Sequence, residues 1–406
     1  MNAGEITVVG GGMIGLATAG LFAREGFQVA LLDSGNAEPW SRGPVEGRVS
    51  AINPASRNLL AHIGVWDNIK RERVSPYTRM SVWDSNSAAH ITFDAAEEGV
   101  STLGHIVEND LICHCLRERL AQNYNVTLMS DTRVTGFNPD PGAGQAVVEI
   151  EGRNPLQSDL VVAADGAHSS LRTLAGIEIS EQDFQQDAIT ATILCSKHHQ
   201  NTAWQVFTPS GPLAMLPLSD SRCSLVWSRD RTGVNEFLSM DEAAFCRHLE
   251  SHFAGQLGNL QLAGSRMRFP LYSRHARRYV TDHLALVGDA AHTIHPLAGL
   301  GANLGMQDAA ALVETVTAAH QRGKPASGQV VLRRYERWRR GENSATLRAM
   351  QGFKNVFGTE VNAIRQIRAA AFRAADQVAP LKHVLAQLAM GTRGDLPTAC
   401  LPAMED

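Results

Sequence analysis

The sequence has few cysteines and no long apolar run. The six cysteines among its 406 residues show neither CxxC spacing nor the density of a disulfide framework. This usage favours reduced thiols in a cytosol and does not support a metal site. No apolar segment reaches the roughly 18 residues that a membrane-spanning helix needs, and the polar start MNAGE does not fit a secretory signal. We therefore expect a cytoplasmic, soluble globular protein without a bound metal.

A strong charge of either sign is also missing. The 37 basic and 41 acidic side chains give a formal net charge of −4. Such a chain has no global positive field to attract nucleic acid, so we expect no nucleic-acid partner, and any basic function must be local. With 44% hydrophobic and 19% charged residues, the chain can bury one large core or two smaller ones.

The first motif is a βαβ unit that starts near residue 5, in EITVVGGGMIGLATAGLFAREGFQVALLDSG. Gly10, Gly12 and Gly15 form GxGxxG between a strand and a helix, and Asp33 follows the second strand. Such glycines allow pyrophosphate to approach the helix N-terminus, and such an acid accepts hydrogen bonds from ribose hydroxyls. The fingerprint alone does not choose between FAD and NAD. A single N-terminal copy favours a tightly held FAD.

The remaining apolar and alternating segments predict an α/β fold of two domains, that is, an α+β two-domain arrangement. The apolar runs LVVAADG (160–166) and LALVGDA (284–290) are typical of further buried parallel strands, which makes the Rossmann-like domain discontinuous. Segments of period two, such as AITATILCS and RCSLVWS, indicate an antiparallel-sheet substrate domain, and the C-terminal tail is expected to be helical. The predicted domains are 1–75, 105–180 and 275–330 for the dinucleotide, 76–104 and 181–274 for the substrate, and 331–406 for the helical region.

A second motif, DGAHSSLR, directly follows the strand LVVAA. Asp165 and Gly166 alone are compatible with a simple turn closed by an Asx hydrogen bond. Because Ser169 and Arg172 follow at fixed offsets, an anion-facing loop is the favoured interpretation.

The third motif is GDAAHTIHPLAGLGANLG, residues 288–305. Asp289 at the end of a buried strand is placed to bind a ribityl or ribose hydroxyl, although a helix N-cap is the alternative. The glycine loop feeds a helix whose N-terminal amides can stabilise negative charge. His292 and His295 are candidate proton carriers, but histidines at such positions are more often structural.

The three motifs, in this order, resemble the class A FAD-dependent aromatic monooxygenases, which share the p-hydroxybenzoate hydroxylase-like fold. The stretches GRVSAINPAS, GVWD, GHIVEN, GDAAHTIHPLAG and RRYERWRR are similar to the ubiquinone-biosynthesis hydroxylases. Asp165 would belong to a loop shared by flavin and nicotinamide, Pro296 would shape the ring pocket, and Leu300 departs from a common Gln. The resemblance implies FAD contacts from Gly10, Gly12, Met13, Ile14, Gly15, Asp33, Arg48, Asn109, Val134, Asp289, Gly301, Ala302 and Asn303.

The resemblance also implies the reaction. NAD(P)H would transiently reduce FAD, O₂ would be the cosubstrate, and a flavin C4a-hydroperoxide would hydroxylate the ring of a polyprenyl phenol in ubiquinone biosynthesis. No catalytic side chain can be assigned beyond the candidates His292, His295 and Pro296. The alternatives are a hydroxylase of a soluble phenolic acid and a non-catalytic flavin-binding scaffold.

Expectations about partners are less specific. The resemblance is compatible with peripheral association at the inner face of a membrane, with membership of a ubiquinone-biosynthesis complex, and with a homo-oligomer. An arginine cluster could meet anionic lipid, although a solvated or salt-bridged helix face is the favoured interpretation. The cluster comprises Arg333, Arg334, Arg337, Arg339 and Arg340.

Overall fold

The computed structural model describes residues 5–35, 40–45, 48–86, 90–140, 144–295, 299–357 and 378–402. The strands are β1 (Glu5–Val9), β2 (Gln28–Leu32), β3 (Val49–Ile52), β4 (Ser75–Tyr77), β5 (Arg79–Asp84), β6 (His90–Asp94), β7 (Gly104–Glu108), β8 (Val126–Met129), β9 (Val134–Asp140), β10 (Gln145–Ile150), β11 (Leu156–Ser158), β12 (Leu160–Ala163), β13 (Ile179–Cys195), β14 (Thr202–Thr208), β15 (Gly211–Pro217), β16 (Arg222–Asp230), β17 (Leu260–Leu262), β18 (Met267–Ala276), β19 (Val280–Thr281), β20 (Leu284–Leu286) and β21 (His292–Thr293). The α-helices are α1 (Met13–Arg24), α2 (Pro54–Ile63), α3 (Trp66–Glu72), α4 (Asn109–Ala121), α5 (Ser170–Leu174), α6 (Arg231–Ser239), α7 (Glu242–Glu250), α8 (Leu300–His320), α9 (Gln329–Phe357) and α10 (Ala379–Ala389).

A six-stranded sheet forms the first layer, in the order β19-β20-β12-β1-β2-β8. All neighbours are parallel except β19 and β20. The sequences of β12 and β20 are apolar and every residue in them is buried, as expected for parallel strands covered on both faces. The buried strands predicted at both places are confirmed, and so is the discontinuous order of the sheet.

Small residues allow the helices α1 and α8 to approach this sheet closely. Helix α1 buries an unbroken run from Gly15 to Ala23, and α8 buries one from Asn303 to Val313. A Cβ on Gly305 would lie 2.9 Å from Ile14 Cδ1 and 3.1 Å from Gly288 Cα. Glycine at position 305 therefore brings α8 against both α1 and the turn that follows β20.

The second layer is a nine-stranded sheet in the order β21-β18-β13-β16-β15-β14-β5-β6, with β17 paired to β13. Its pairs are antiparallel apart from β14 with β5, so the antiparallel sheet predicted from period two is confirmed, while its role as the substrate sheet stays a prediction. One face is packed under α6 and α7 through a core that includes Ile189, Leu225, Trp227 and Phe245. Since side chains alternate along a strand, their neighbours point to the opposite face.

Two small sheets, β3-β7-β4 and β11-β10-β9, complete the described strands. The Thr192 hydroxyl of the nine-stranded sheet donates to the Val45 carbonyl over 2.5 Å, just before β3. Strand β21 lies within the third motif and yet pairs with β18. The exact domain boundaries remain a prediction.

The C-terminal segment 378–402 contacts both layers. Lys382 pairs with Glu97 at 2.7 Å and His383 with Glu98 at 2.5 Å, both after β6. Farther on, the Cys400 carbonyl accepts from Asn58 of α2 over 3.1 Å. None of the helices in the described part of the chain combines the length and the apolar character that crossing a membrane requires.

We expect neighbouring residues of β16 to respond oppositely to truncation. Leu225 is fully buried under the helices, whereas Val226 is half-buried on the opposite face. Leu225→Ala should lower the free energy of unfolding by about 3 kcal/mol, because it leaves a cavity. Val226→Ala should cost less than about 1 kcal/mol. Urea unfolding measures both, and equal losses would contradict this assignment of the two faces.

Candidate active site

The turns that carry the three motifs meet at one edge of the six-stranded sheet. Strands β1, β2, β12 and β20 run parallel, so their carboxyl ends lie side by side. Backbone hydrogen bonds continue into the turns, from Gly10 N to Leu32 O at 2.8 Å and from Ala164 N to Val9 O at 2.8 Å. Crevices outside such strand ends are the usual ligand sites of open α/β sheets. The edge brings together Gly10, Asp33, Asp165 and Asp289.

The glycines of the first turn have different roles. Gly10 has a φ of 114°, and a Cβ there would overlap the Ala164 carbonyl oxygen. A Cβ on Gly15 would overlap the Gly10 carbonyl oxygen. Gly12, by contrast, has no described atom beyond its chain neighbours within 4 Å of the position that a Cβ would take, and among the described residues no side chain caps the start of α1. The first amides of α1 therefore lack a capping partner and lie beside open space at Gly12, as an anion site requires.

Asp33 has a partner that the sequence did not indicate. The Arg117 guanidinium on α4 donates through Nη2 to Asp33 Oδ2 and to the Gly11 carbonyl, both at 2.6 Å. A Cβ on Gly11 would overlap the Asp33 carboxylate, so the turn and the acid are in close contact. Arg117 lies 84 residues from Asp33, and no local motif marks it. The pair fixes Asp33 at the entrance to the crevice.

Asp165 closes the turn after β12. Its Oδ2 accepts from the Ser170 hydroxyl at 3.1 Å and from Leu171 N at 3.2 Å. Its Oδ1 is buried without a hydrogen-bond partner in the described part of the chain. The turn interpretation therefore accounts for one oxygen, and the other remains available.

The prediction of an anion-facing loop is wrong for Ser169 and Arg172. The Ser169 hydroxyl caps α5 by accepting from Arg172 N at 3.0 Å. The Arg172 side chain is 7% exposed and donates to the carbonyls of Ala290 at 2.9 Å and Ala167 at 3.0 Å. Two backbone carbonyls thus hold this guanidinium, which links the second motif to the third.

Asp289 follows β20 in a 3-10 turn, Gly288–Ala290. The N-cap position of that turn is Val287, which has no capping side chain, so the helix-cap alternative for Asp289 is not supported. The side chain is exposed in the crevice, yet loss of hydration among the surrounding atoms raises the pKa of its carboxyl, against the charges of His292 and Arg48. An exposed carboxylate at the carboxyl end of a parallel strand is placed to bind ligand hydroxyl groups.

The start of α8 is a second helix N-terminus in the third motif. The left-handed residue is Gly299, with a φ of 61°, and among the described residues no side chain caps the helix that it precedes. Gly301 and Ala302 are half-buried, and among the described residues a Cβ on Gly301 would meet Ile294 Cγ1 at 3.8 Å. The first amides of a helix lack intrahelical acceptors, so this end also presents free donors and positive potential.

Asn303 braces that helix start through its side chain. Its Oδ1 accepts from Asn53 N at 3.1 Å, and its Nδ2 donates to the carbonyls of Ala51 at 2.8 Å and Gly299 at 3.0 Å. The side chain is 2% exposed. It therefore ties α8 to the end of β3 and to α2, a role that the family resemblance, which pointed to its amide, did not indicate.

Arg48 and Asn109 lie together at the rim. Asn109 N donates to the Arg48 carbonyl at 2.9 Å, and the Ser50 hydroxyl donates to Asn109 Oδ1 at 2.7 Å. The exposed Arg48 guanidinium lies 5.4 Å from the centre of the Phe269 ring on β18. Arg48 therefore spans from the dinucleotide layer to the substrate sheet.

Three other predicted residues pack into or against the main core. Val134 begins β9 and is 7% exposed within the main core. Met13 and Ile14 are half-buried in the first turn of α1, and Ile14 packs toward Gly288 and Gly305. Any contact of these three with a dinucleotide remains a prediction.

The candidate histidines are nearly fully buried. His292 is 1% exposed, and its Nε2 lies 2.5 Å from Asp308 Oδ2. His295 is 3% exposed and its ring centre lies 5.1 Å from that of Phe184. The third candidate, Pro296, lies outside the described residues. A proton-carrying role for any of them stays a prediction.

The arginines of the α9 cluster lie on different sides of the helix, one buried and the others exposed. Arg339 is 1% exposed and donates through Nε to Asp308 Oδ1 at 2.8 Å, so it is salt-bridged and buried, and the alternative of a lipid contact is wrong for this arginine. The sequence patterns did not mark its partner, Asp308, as a candidate residue. The exposed members are Arg333, Arg334, Arg337 and Arg340.

The substrate sheet turns an apolar face away from α6 and α7. The half-buried side chains on that face alternate with fully buried core residues. At the centre of the face they offer methyl groups, one ring and one hydroxyl, from Thr190, Ala214, Leu216, Val226, Met267 and Phe269. The Gln205 amide lies beside Ala214 on the same face, and Arg222 lies at its margin, at the start of β16.

These features fit FAD. The uncapped α1 with open space at Gly12 suits a pyrophosphate, and Asp33 suits ribose hydroxyls. Asp289 suits a further hydroxyl, and the uncapped start of α8 suits the ring edge that becomes negative on reduction. The cofactor assigned from the fingerprint therefore agrees with the free groups that the edge presents.

Comparison with known proteins agrees with this geometry. Residues 4–349 match the family model described as FAD binding domain. The chain is 35% identical over 390 residues to the Escherichia coli 3-demethoxyubiquinol 3-hydroxylase, covering 95% of this chain and 98% of that protein. It is 33% identical to the Ubiquinone hydroxylase UbiL of Rhodospirillum rubrum, covering 96% and 90%. It is also 33% identical to the Xenopus tropicalis ubiquinone biosynthesis monooxygenase COQ6, covering 93% and 91%.

Solved structures show the same fold. The p-nitrophenol 4-monooxygenase PnpA of Pseudomonas putida superposes with a TM-score of 0.77 at 21% identity, over 97% of this chain and 100% of that one. Klebsiella pneumoniae HpxO, solved with FAD, gives 0.71 at 19% identity, over 94% and 99%. The fold and the edge define a FAD-dependent monooxygenase. The chain belongs to the FAD-binding-domain family, within its ubiquinone-biosynthesis hydroxylases.

The glycine turn offers a matched test. Gly15→Ala should lower the stability of the apoprotein by about 3 kcal/mol, because its Cβ would overlap a backbone carbonyl. Gly12→Ala should leave that stability within about 0.5 kcal/mol and weaken FAD binding about tenfold, since its methyl enters the open space. Urea unfolding and FAD titration separate the effects. Equal FAD affinity in wild type and Gly12→Ala would contradict a pyrophosphate at this turn.

Gly301→Val tests the start of α8. The apoprotein should stay within about 1 kcal/mol of wild type, because the nearest described atom outside the neighbouring residues is Ile294 Cγ1, at an ordinary contact distance of 3.8 Å from the new Cβ. Coupled hydroxylation should fall about 100-fold, because the branched side chain blocks the ring. Gly305→Ala is the opposite control and should destabilise the apoprotein through Ile14. Bound FAD and the ratio of product to peroxide are measured, and unchanged coupling in Gly301→Val would contradict the placement of the ring.

Proposed function

We propose that this protein hydroxylates the aromatic ring of a polyprenyl phenol in ubiquinone biosynthesis. The observation that carries the proposal is the largely apolar face that the nine-stranded sheet turns away from α6 and α7. A relative named 3-demethoxyubiquinol 3-hydroxylase, alike over 95% of the chain, points to the same substrate class. The substrate would lie between that face and the start of α8.

FAD, reduced by NAD(P)H and reoxidised by O₂, supplies the oxygen-transfer chemistry when bound. The protein binds and orients it. The amides of α1 beyond Gly12 and the Asp33 carboxylate would hold its dinucleotide part, and Asp289 its ribityl chain. The amides of Gly301 and Ala302, held rigid by the Asn303 side chain, would stabilise negative charge on the ring.

The substrate face distinguishes the candidate substrates. A phenolic acid would need a basic side chain on this face to pair with its carboxylate, because an unpaired buried charge is costly. The centre of the face instead carries Val226, Leu216 and Met267. The basic side chains lie at its margins, Arg48 beside Phe269 and Arg222 at the start of β16. These apolar side chains favour a prenyl tail over a carboxylate, and they exclude water from the reacting ring.

A substrate comparison tests this proposal. A short-chain prenylated phenol should stimulate NAD(P)H oxidation and be hydroxylated, whereas p-hydroxybenzoate should do neither. Val226→Asp should lower kcat/KM for the prenylated phenol about 30-fold, because it places a charge on the apolar face. FAD content should not change, and Val226→Ala is the matched control. Preferential turnover of the phenolic acid would overturn the proposal.

We also propose peripheral contact with an anionic membrane surface. Arg333, Arg337, Arg340 and Arg348 are exposed at spacings of three, four and eight, which place them on one side of α9. Clustered basic side chains on a helix attract acidic lipid headgroups, by about 1 kcal/mol each. This side could hold the protein near a membrane-embedded substrate.

Vesicle sedimentation tests the contact. The protein should bind vesicles that contain phosphatidylglycerol, and the binding should weaken as salt screens the charges. Changing the four arginines to glutamine should abolish most of that binding while leaving turnover of a short-chain substrate unchanged. Equal binding by the variant would contradict a role for α9.

A further inference from the structure

A buried carboxylate lies directly behind the turn that carries Asp289. Asp308 on α8 is 0% exposed and accepts from donors on both oxygens. Its Oδ2 lies 2.5 Å from His292 Nε2 and 3.2 Å from Gly288 N. Its Oδ1 accepts from Arg339 Nε at 2.8 Å and from Asn343 Nδ2 at 3.0 Å. The donors come from the turn and from α9, so one side chain joins three parts of the fold.

The two contacts of Oδ2 lie on either side of Asp289. Gly288 immediately precedes this residue, and His292 follows it three positions later. A third contact comes from Arg172, which donates to the Ala290 carbonyl at 2.9 Å. The backbone of the turn is therefore held at three points, while the Asp289 side chain itself stays exposed in the crevice.

The charges keep Asp308 an acceptor. Burial would raise the pKa of its carboxyl, but His292 and Arg339 outweigh that effect and hold the pKa at about 2. The His292 ring is fixed from the other side, where the Tyr279 ring stacks on it with centres 6.0 Å apart. Asn343 donates to the Tyr279 hydroxyl at 3.3 Å, which closes the network.

Stability alone does not explain a charged cluster at this place. Apolar side chains of similar volume stabilise a core as well as a buried ion pair does, or better. The contacts are instead concentrated on the one turn whose free carboxylate faces the dinucleotide. Preorganised groups bind a ligand more tightly because less ordering accompanies binding.

We propose that Asp308, supported by Arg339, is a positioning residue for FAD, which sets the orientation of the Asp289 carboxylate before the dinucleotide binds. The proposal rests on the assignment of Asp289 to the FAD site. Asp308 itself does not touch the cofactor. Its effect on FAD affinity must therefore pass through Asp289.

A double-mutant cycle on FAD affinity tests this dependence. Asp289→Ala and Asp308→Asn should each weaken FAD binding about tenfold, measured by flavin fluorescence on the apoprotein. The double variant should bind no more weakly than Asp289→Ala, because Asp308 then has no carboxylate to orient. Additive losses, or unchanged affinity in Asp308→Asn, would overturn the proposal. Unchanged affinity in Asp289→Ala would instead overturn the FAD-site assignment.

Asp308→Asn leaves Arg339 without its charged partner and could therefore misfold. A second variant keeps the proposal testable in that case. Asp308→Leu combined with Arg339→Met removes both charges at similar volume and should keep the apoprotein folded. It should still bind FAD about tenfold more weakly. The matched control is Asp187→Asn. Asp187 lies in the nine-stranded sheet, is also buried, at 1% exposed, and is paired with Arg231 at 3.0 Å. The control should lose stability and keep its FAD affinity, and the reverse result would contradict a role specific to Asp308.

Discussion

The parallel alignment of β1, β2, β12 and β20 is the constraint on which the rest of the structure depends. Because these strands point the same way, segments 10–15, 33, 165 and 289 become neighbours although they are far apart in the chain. Each segment supplies one kind of group, either uncapped amides or a carboxylate. The chemistry of the edge follows from this geometry, and no side chain within the edge needs to be a nucleophile or a metal ligand.

Electrostatics then decides what the edge can hold. Two helix N-termini without capping side chains, those of α1 and α8, present amides toward the crevice. Asp33 and Asp289 add acceptors for hydroxyl groups, and each acid is restrained from behind, by Arg117 and by the network around Asp308. Donors for anions and acceptors for hydroxyls, arranged along one edge, match the alternation of phosphate, sugar and ring in FAD.

Local features could be predicted from the sequence, and long-range pairings could not. The GxGxxG turn and the buried strands at 160–163 and 284–286 follow from nearest-neighbour patterns, because strand period and turn glycines are local. The pairs Arg117–Asp33 and Arg339–Asp308 join elements that are far apart in the chain, and local sequence patterns do not predict how such elements pack. The same lack of long-range information explains why the sequence does not predict the positions of two arginine side chains. Arg172 points to carbonyls rather than to an anion, and Arg339 points inward, because helix rotation about its axis decides both.

The central claim is that one FAD spans both uncapped helix starts. Hydrogen exchange of the backbone amides, with and without FAD, tests it most directly. We predict that FAD slows exchange together at the start of α1, residues 12–15, and at the start of α8, residues 300–303, with little change along α6 and α7. Protection at the start of α1 alone, with unchanged exchange at residues 300–303, would contradict the account.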